Sequence, residues 1–404
     1  MHILKKWNPD PSKGEVFTPI ELVSEMIDRI PSKVWNNPKS LFLDPCMGKG
    51  TFLIEIVRRL VDIYGYSELD AKSRVFGFDI RIKYVNYLKR RGYINVQHKD
   101  FLYEKIKMEF DVILGNPPYH KQVGGTNTEA IWPKFVEKSF AICKEGGYVC
   151  LIHPSGWRNV DGKFKSIQKL LLSKSMKYLE IHNEKDGSKT FGAETRYDWY
   201  IVENIESVDC ITTVKGQRGK SVNLSLNDKK FIPNDNIETI YNLVGKNNDE
   251  NTSIISDSSY HIQRNYMSKT IDDHFKYSCV YTVKKGDNIT LWYSNTKNNG
   301  HFGIPKLIWS NFRICSAGSF IDELGEYGLT QFSYGLIDNP DILPLIKKVF
   351  DSKIFRDLME DCAVSDMSIN RKIIATFRKD FWKDFIDDDG NIIEPNTQNN
   401  VERV

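Results

Sequence analysis

Two hydrophobic rhythms alternate along the first half of the chain. Short apolar runs rich in β-branched and aromatic residues stand at Leu41–Leu43, Val75–Phe78, Ile94–Val96, Asp111–Leu114, Tyr148–Ile152, Tyr178–Ile181 and Trp199–Val202. Between most of them lie longer stretches with helical spacing, such as Thr51–Tyr64, Arg81–Arg91 and Glu129–Lys144. Strand and helix in alternation predict βαβ units, hence an α/β fold with a mostly parallel, doubly wound, Rossmann-like sheet. In an open sheet of that kind, ligands gather outside the carboxyl ends of the strands. After Glu206 the alternation stops, and a polar stretch runs from Asn227 to Asn236. A domain boundary is expected there, giving one domain over 1–210 and a second, of mixed α+β character, over 211–404. The second reads as irregular to about residue 335, with Asn-, Gly- and Ser-rich passages near 286–303, and as helical from Asp341 to about Phe385.

Composition narrows the class. The chain has 404 residues, 40% of them hydrophobic, with 26 Gly and 15 Pro, which excludes disordered and collagen-like chains. It holds no run of about 18 apolar residues able to span a bilayer, and Met1–Trp7 lacks the apolar core of a signal peptide. A cytoplasmic protein with no membrane partner is expected. Seven scattered cysteines without a C-x-x-C pair suggest neither a disulfide framework nor a metal site. Residues 1–210 carry 32 basic and 27 acidic side chains, residues 211–383 carry 23 and 20, and the acids concentrate from Asp384 onward. A mildly basic body permits a polyanion partner without demanding one.

The most specific chemistry follows the run Asp111–Gly115, in Asn116-Pro117-Pro118-Tyr119. An exocyclic amine or an amide nitrogen is a poor nucleophile because its lone pair is delocalised. An Asn side-chain oxygen and a carbonyl held rigid by proline can accept both of its N–H bonds, drawing the nitrogen toward sp3 geometry and aiming the lone pair. The Tyr119 ring can stack on a planar substrate. Upstream, Asp44-Pro45-Cys46-Met47-Gly48-Lys49-Gly50-Thr51-Phe52 joins the first strand to its helix. Its glycines let a ligand approach the backbone, and Leu53 stands where a dinucleotide fingerprint needs a third glycine. Asp79 ends the second strand, where a carboxylate can accept ribose hydroxyls. Asp100 and Phe101 follow the third, where an acid and a ring can hold a purine. Thr18-Pro19-Ile20-Glu21 also reads as a capping box with Thr18 as N-cap.

With these residues in place the chain resembles the S-adenosylmethionine-dependent amino-methyltransferases, in particular the γ-type N6-adenine DNA methyltransferases of restriction-modification systems, over roughly residues 14–205. The resemblance implies that Phe17, Thr18 and Pro19 contact the methionine part of the cofactor and that Asp44 lies near its methionyl group. Cys46, Gly48, Gly50 and Phe52 belong to the same loop. Asp79, with Ile80 beside it, binds the ribose, Asp100 and Phe101 hold the adenine, and Asn116 to Tyr119 grip a flipped target base. Ile131–Lys138, Ile152–Ser155 and Phe191–Thr195 are similar to the family's later motifs. Met47 is a departure, since small residues are commoner there.

The motif order places target recognition at the C-terminus, so residues 211–404 are expected to bind double-stranded DNA. No acid-x-Lys nuclease pattern stands out, and a separate restriction endonuclease is the expected further partner. No metal is required. RNA or protein-glutamine methylation is the alternative within the enzyme class, and a non-catalytic DNA-binding specificity module is the alternative outside it. Lys215, Arg218, Lys220, Lys229 and Lys230, and the aromatic-basic passages Trp292-Tyr293, Trp309–Arg313 and Arg378–Lys383, are the candidate nucleic-acid contacts. A core role is the more common use of any one of those aromatics.

Overall fold

A computed structural model describes residues 16–124, 127–208, 210–246, 249–364 and 367–395. Met1–Trp7, read above for a signal peptide, and Glu402 in the acidic end lie outside them. The chain divides into two units, the first running to Arg158 and from Gly162 to Lys229, the second comprising Asn159–Asp161 and the chain from Lys230 onward.

In the first unit, helices α1 (Ile20–Asp28) and α2 (Ser32–Asn36) precede β1 (Phe42–Asp44). Then come α3 (Thr51–Asp62), α4 (Glu68–Ser73), β2 (Val75–Asp79), α5 (Ile82–Lys89), β3 (Val96–His98) and β4 (Phe110–Gly115). A hairpin of β5 (His120–Gly124) and β6 (Asn127–Ala130) leads to α6 (Trp132–Ile142), β7 (Cys143–Pro154), α7 (Lys165–Leu172), β8 (Lys174–His182), α8 (Glu184–Phe191) and β9 (Tyr197–Glu206). Two further strands, β10 (Ile211–Lys215) and β11 (Ser221–Ser225), close the unit.

The main sheet has nine strands in the order β11-β10-β8-β9-β7-β4-β1-β2-β3. Strands β3, β2, β1, β4 and β7 run parallel, and β9 is inserted antiparallel between β7 and β8. Strand β4 is buried at all but one position, as its unbroken Val-Ile-Leu run requires of a strand covered on both faces. Helix α3 lays Phe52, Leu53, Ile56, Val57 and Leu60 into the core at helical spacing. The chain order reverses between β1 and β4, which opens a crevice at their carboxyl ends.

Six of the seven apolar runs fall on strands; of Ile94–Val96 only Val96 does, because Ile94 and Asn95 form the turn before β3. Two expectations change. The boundary expected after residue 210 moves to Lys229, because β10 pairs parallel with β8 and β11 pairs antiparallel with β10, extending the sheet by a hairpin. The helix expected from Glu129 begins at Trp132, since Glu129 pairs with Lys121 across the β5–β6 hairpin.

The second unit opens with α9 (Ile237–Leu243) and is not irregular before residue 335. It holds β12 (Ser253–Ser256), β13 (Met267–Ser268), β14 (Tyr277–Lys284), β15 (Asn288–Ser294), β16 (Lys306–Ser310), β17 (Ser319–Asp322), β18 (Gly328–Leu329) and β19 (Ser333–Ile337). They form two four-stranded sheets, β12-β19-β16-β17 and β13-β15-β14-β18. The helices α10 (Leu343–Phe350), α11 (Lys353–Cys362) and α12 (Arg371–Ile374), with a 3-10 turn over Phe381–Phe385, share a core with Leu307, Trp309 and Leu336. Among the described residues no helix is long and apolar enough to cross a membrane.

Candidate active site

Four chain segments converge at the crevice between β1 and β4. The glycine loop leaves β1 at Asp44 and is tied to β2 by Met47 N–H donating to the Phe78 carbonyl at 2.9 Å. Gly48 and Gly50 hold left-handed φ angles of +50° and +80°, and a Cβ at Gly50 would lie 2.7 Å from Leu88 Cδ2. Both glycines are therefore set by backbone geometry and close approach. Met47, the departure noted above, is accommodated in β2: a Cβ at Gly77 would lie 2.4 Å from Met47 Sδ. The bulk added in the loop is balanced by a missing side chain opposite.

Two carboxylates face this loop. Asp44 is 1% exposed, and its Oδ1 accepts from the Cys46 N–H at 3.0 Å. Burial, with added repulsion from Asp79 and against the Cys46 N–H, raises its pKa to about 7. Asp79 accepts from Gly48 N–H through Oδ2 at 2.9 Å and from Arg81 N–H through Oδ1 at 2.7 Å. It thus braces the loop from the end of β2. Asp100, two residues past β3, accepts from Leu102 N–H at 2.9 Å. Its turn is held by Lys138 of α6, whose ammonium donates to the carbonyls of Phe101, Leu102 and Glu104.

The tetrad leaves β4 against the same loop. A Cβ at Gly115 would lie 2.8 Å from Asp44 Oδ1 and 3.3 Å from Pro45 Cδ, so only glycine lets the two strand ends close up. Asn116 directs its backbone N–H toward the Cys46 sulfur, and its Nδ2 donates to Thr18 Oγ1 at 3.3 Å. Pro117 is buried, Pro118 is exposed and Tyr119 is partly buried. The Tyr119 hydroxyl is turned inward without a hydrogen-bond partner among the described residues. Burial, then Tyr197 and Asp198, push its pKa up, so it stays a neutral phenol. Ile131 N–H donates to the Tyr119 carbonyl at 3.0 Å and closes the base of the β5–β6 hairpin.

Behind the tetrad lies a buried polar and aromatic layer. His153 stacks on Trp132 with centroids 4.2 Å apart, and its Nε2 lies 3.2 Å from the Tyr200 hydroxyl. Burial lowers its pKa to about 3, which keeps the ring neutral. Asp198 accepts from Trp157 Nε1 at 2.9 Å and Arg158 Nε at 2.8 Å, while its Oδ1 has no partner among the described residues. Phe191 packs edge-on against Tyr197 at 4.8 Å.

Several sequence expectations need correcting. Thr18 caps no helix: Pro19 is the N-cap of α1, without a side-chain bond, because the Thr18 hydroxyl serves Asn116 instead. Phe101 is 2% exposed and stacks on Phe135 at 5.5 Å, so its faces are taken up by core packing. Phe52 is likewise a core residue at 4% exposure, whereas Ile80 is 61% exposed. Phe17 does reach the loop, with Lys49 Nζ 3.6 Å above its ring and Tyr84 edge-on at 6.0 Å. Among the candidate nucleic-acid contacts, Lys215 pairs with Glu180 at 2.8 Å, and Arg378 with Asp380 and Asp384. Trp309 is fully buried. Sequence reading missed Gly115, Lys138 and the Arg158–Asp198 pair; only Gly115, placed between a strand and Asn-Pro, carried a local signal.

The comparisons with known proteins bear on this site. Residues 67–191 match the family model described as Eco57I restriction-modification methylase. The chain is 27% identical over 181 residues to Type II methyltransferase M.VspI of Vibrio sp. (strain 343), covering 40% of this chain and 41% of that protein. It is 23% identical to an uncharacterized adenine-specific methylase of Mycoplasma pneumoniae (strain ATCC 29342 / M129 / Subtype 1), over 54% of this chain and 74% of that one. The type I restriction-modification methyltransferase subunit of Streptococcus thermophilus superposes with a TM-score of 0.37 at 17% identity, over 56% of this chain and 52% of that one. The chain thus spans less than half the length of M.VspI. The family match takes in Asp79, Asp100 and the tetrad, and over that stretch the chain is similar to the restriction-modification methylases, in line with the resemblance read from the tetrad and the acids.

Proposed function

We propose that the protein is a site-specific DNA adenine-N6 methyltransferase that uses S-adenosylmethionine. One observation carries the reading: at the switch point of the sheet, an amide end of Asn116 is tied to Thr18 while Gly115 brings the same strand end against Asp44. An amine acceptor and an acid-lined glycine loop therefore share one crevice. The family match over residues 67–191 supports the assignment of chemistry.

The residues fit the cofactor. Left-handed Gly48, where an added Cβ would meet nothing closer than the Phe17 ring at 3.9 Å, leaves the loop backbone open to a ligand, while Gly50 packs the loop against Leu88. Asp44 and Asp79 repel each other, a strain that a cationic ligand relieves. When bound, S-adenosylmethionine supplies a methyl group already activated by a positive sulfur. Asp44 and the loop would hold its methionine part with Phe17, Asp79 its ribose and Asp100 its adenine. Asn116 Oδ1 and the Pro117 carbonyl accept the two N–H bonds of the target amine and orient its lone pair. The Tyr119 ring stacks on the extruded base, and Tyr119 stays protonated, so no charged base faces the nucleophile. Extrusion costs a few kcal/mol, offset by stacking and by duplex contacts. Target recognition is assigned to the unit from Lys230 onward on the order of motifs, with a restriction endonuclease as a separate partner.

The test is label transfer from S-adenosylmethionine to unmethylated double-stranded DNA, total RNA and a cell extract in parallel, with Asn116→Ala as control. N6-methyladenine at one short DNA motif supports the reading. Label confined to RNA or protein contradicts the substrate assignment, and no label despite cofactor binding favours a non-catalytic specificity module.

A further inference from the structure

We infer that Thr18 is a positioning residue for the transfer step: its hydroxyl accepts the Asn116 N–H that the substrate amine cannot take, which leaves Asn116 Oδ1 as the acceptor facing the crevice. This rests on the tetrad's proposed role as amine acceptor.

An asparagine amide has an accepting end and a donating end of nearly equal size. Facing a target amine, only the accepting end is useful, because the donating end sets N–H against N–H. Pairing both ends at once needs a separate acceptor for Nδ2. Thr18 Oγ1 supplies it at 3.3 Å, from a residue 98 positions earlier in the chain. Thr18 is only 8% exposed, so water competes poorly for the bond. No helix cap draws the hydroxyl away, since α1 starts at Pro19 without a side-chain bond.

The supporting segment is itself held. Lys49 lies 3.6 Å over the Phe17 ring, and Tyr84 meets that ring edge-on, which fastens the residue before Thr18 to the glycine loop and to α5. On the other partner, Gly115 packs against Asp44, and the Asn116 N–H faces the Cys46 sulfur. With both main chains fixed, rotation of the Asn116 side chain is the freedom that remains. The Thr18 hydroxyl restricts it.

The experiment compares wild type, Thr18→Val and Thr18→Ser. Single-turnover methyl transfer to unmethylated DNA is measured at saturating S-adenosylmethionine, together with KM for each substrate. Thr18→Val removes the acceptor at nearly constant shape, and its kcat is expected to fall about ten- to a hundredfold with KM values within about threefold. Thr18→Ser, which keeps the hydroxyl, is expected to recover most of the rate. A Thr18→Val enzyme as fast as wild type, or one whose whole loss lies in the KM for S-adenosylmethionine, overturns the inference. A second readout needs no activity: in protein labelled with 15N-asparagine, the Asn116 side-chain amide resonances, assigned by their loss in Asn116→Ser, should shift in Thr18→Val and stay in Thr18→Ser. Unchanged resonances in Thr18→Val also overturn it. If Thr18→Val does not fold, Thr18→Ala takes its place against Thr18→Ser. A wild type that methylates no DNA counts against the proposed function, and the amide resonances then decide the positioning inference separately.

Discussion

Buried polar groups are handled differently in the two units. In the second, Lys306 and Asp322 form an ion pair at 2.7 Å with side chains 0% and 2% exposed. Lys306 also donates to the carbonyls of His301 and Ile304, and Asp322 accepts from the N–H groups of Glu326 and Tyr327. At the carboxyl edge of the first unit, Tyr119 Oη and Asp198 Oδ1 are buried without partners among the described residues, and Asp44 is held near pKa 7 beside a second acid. A buried polar group without its complement is costly. The saturated Lys306–Asp322 pair fits a place built for stability, and the unsatisfied groups beside the tetrad fit the ligand site proposed there, although buried atoms without partners also occur elsewhere, such as Gln331 Nε2 in the second unit.

The sharpest way to break this contrast is to cut each region once. Lys306→Met leaves Asp322 buried and unpaired, so stability should fall by about 3–5 kcal/mol, while transfer per folded molecule stays unchanged. Asn116→Ala should do the reverse, lowering transfer by about 10²–10³-fold with an unmoved melting curve. Chemical denaturation beside single-turnover assays reads both, and a catalytic defect in folded Lys306→Met would erase the distinction. Gly115→Ala tests the close approach of the strand ends: the added methyl 2.8 Å from Asp44 Oδ1 should cost about 1–3 kcal/mol and weaken cofactor binding and transfer together.

Smaller effects sharpen the picture. The raised pKa of Asp44 means that the folded state prefers its neutral acid. That contribution to stability is complete below about pH 4 and is lost as pH rises through about 7. The cofactor-free wild type should therefore lose melting temperature between about pH 4 and 7 relative to Asp44→Asn and level off above that, and its affinity for S-adenosylmethionine should rise as pH approaches 7 and the proton leaves. Parallel slopes in the two proteins would remove Asp44 from the account. Last, Lys138→Met should loosen the Asp100 turn and raise the KM for S-adenosylmethionine by about tenfold, with kcat little changed.

Much of the first unit was legible because its strands are buried on both faces and write themselves as continuous apolar runs, from Leu41 to Val202. The tetrad and the acids were legible because they end those runs. The second unit was not. Its strands are short, and partners such as Ser253–Ser256 and Ser333–Ile337 lie far apart in sequence, so no local period announces them. Thr18 was misread for a related reason: the S/T-x-x-E spacing predicts a cap from four neighbouring residues, whereas the hydroxyl's partner sits 98 residues on. Phe52 follows the glycine loop and Phe101 follows Asp100 in sequence, yet both are buried, which adjacency cannot reveal. The hairpin over 211–225 was lost to the boundary because its pairing with β8 depends on the third dimension alone.

The central claim is that one sheet edge divides its labour, with acids that hold the cofactor and a neutral tetrad that orients the amine. The most direct measurement is S-adenosylmethionine affinity by calorimetry and single-turnover transfer to unmethylated DNA, made on wild type, Asp79→Ala and Asn116→Ala. The account predicts that Asp79→Ala loses cofactor affinity while transfer recovers toward wild type at saturating cofactor, and that Asn116→Ala binds cofactor normally and transfers almost nothing. Equal loss of cofactor affinity in both variants would contradict it.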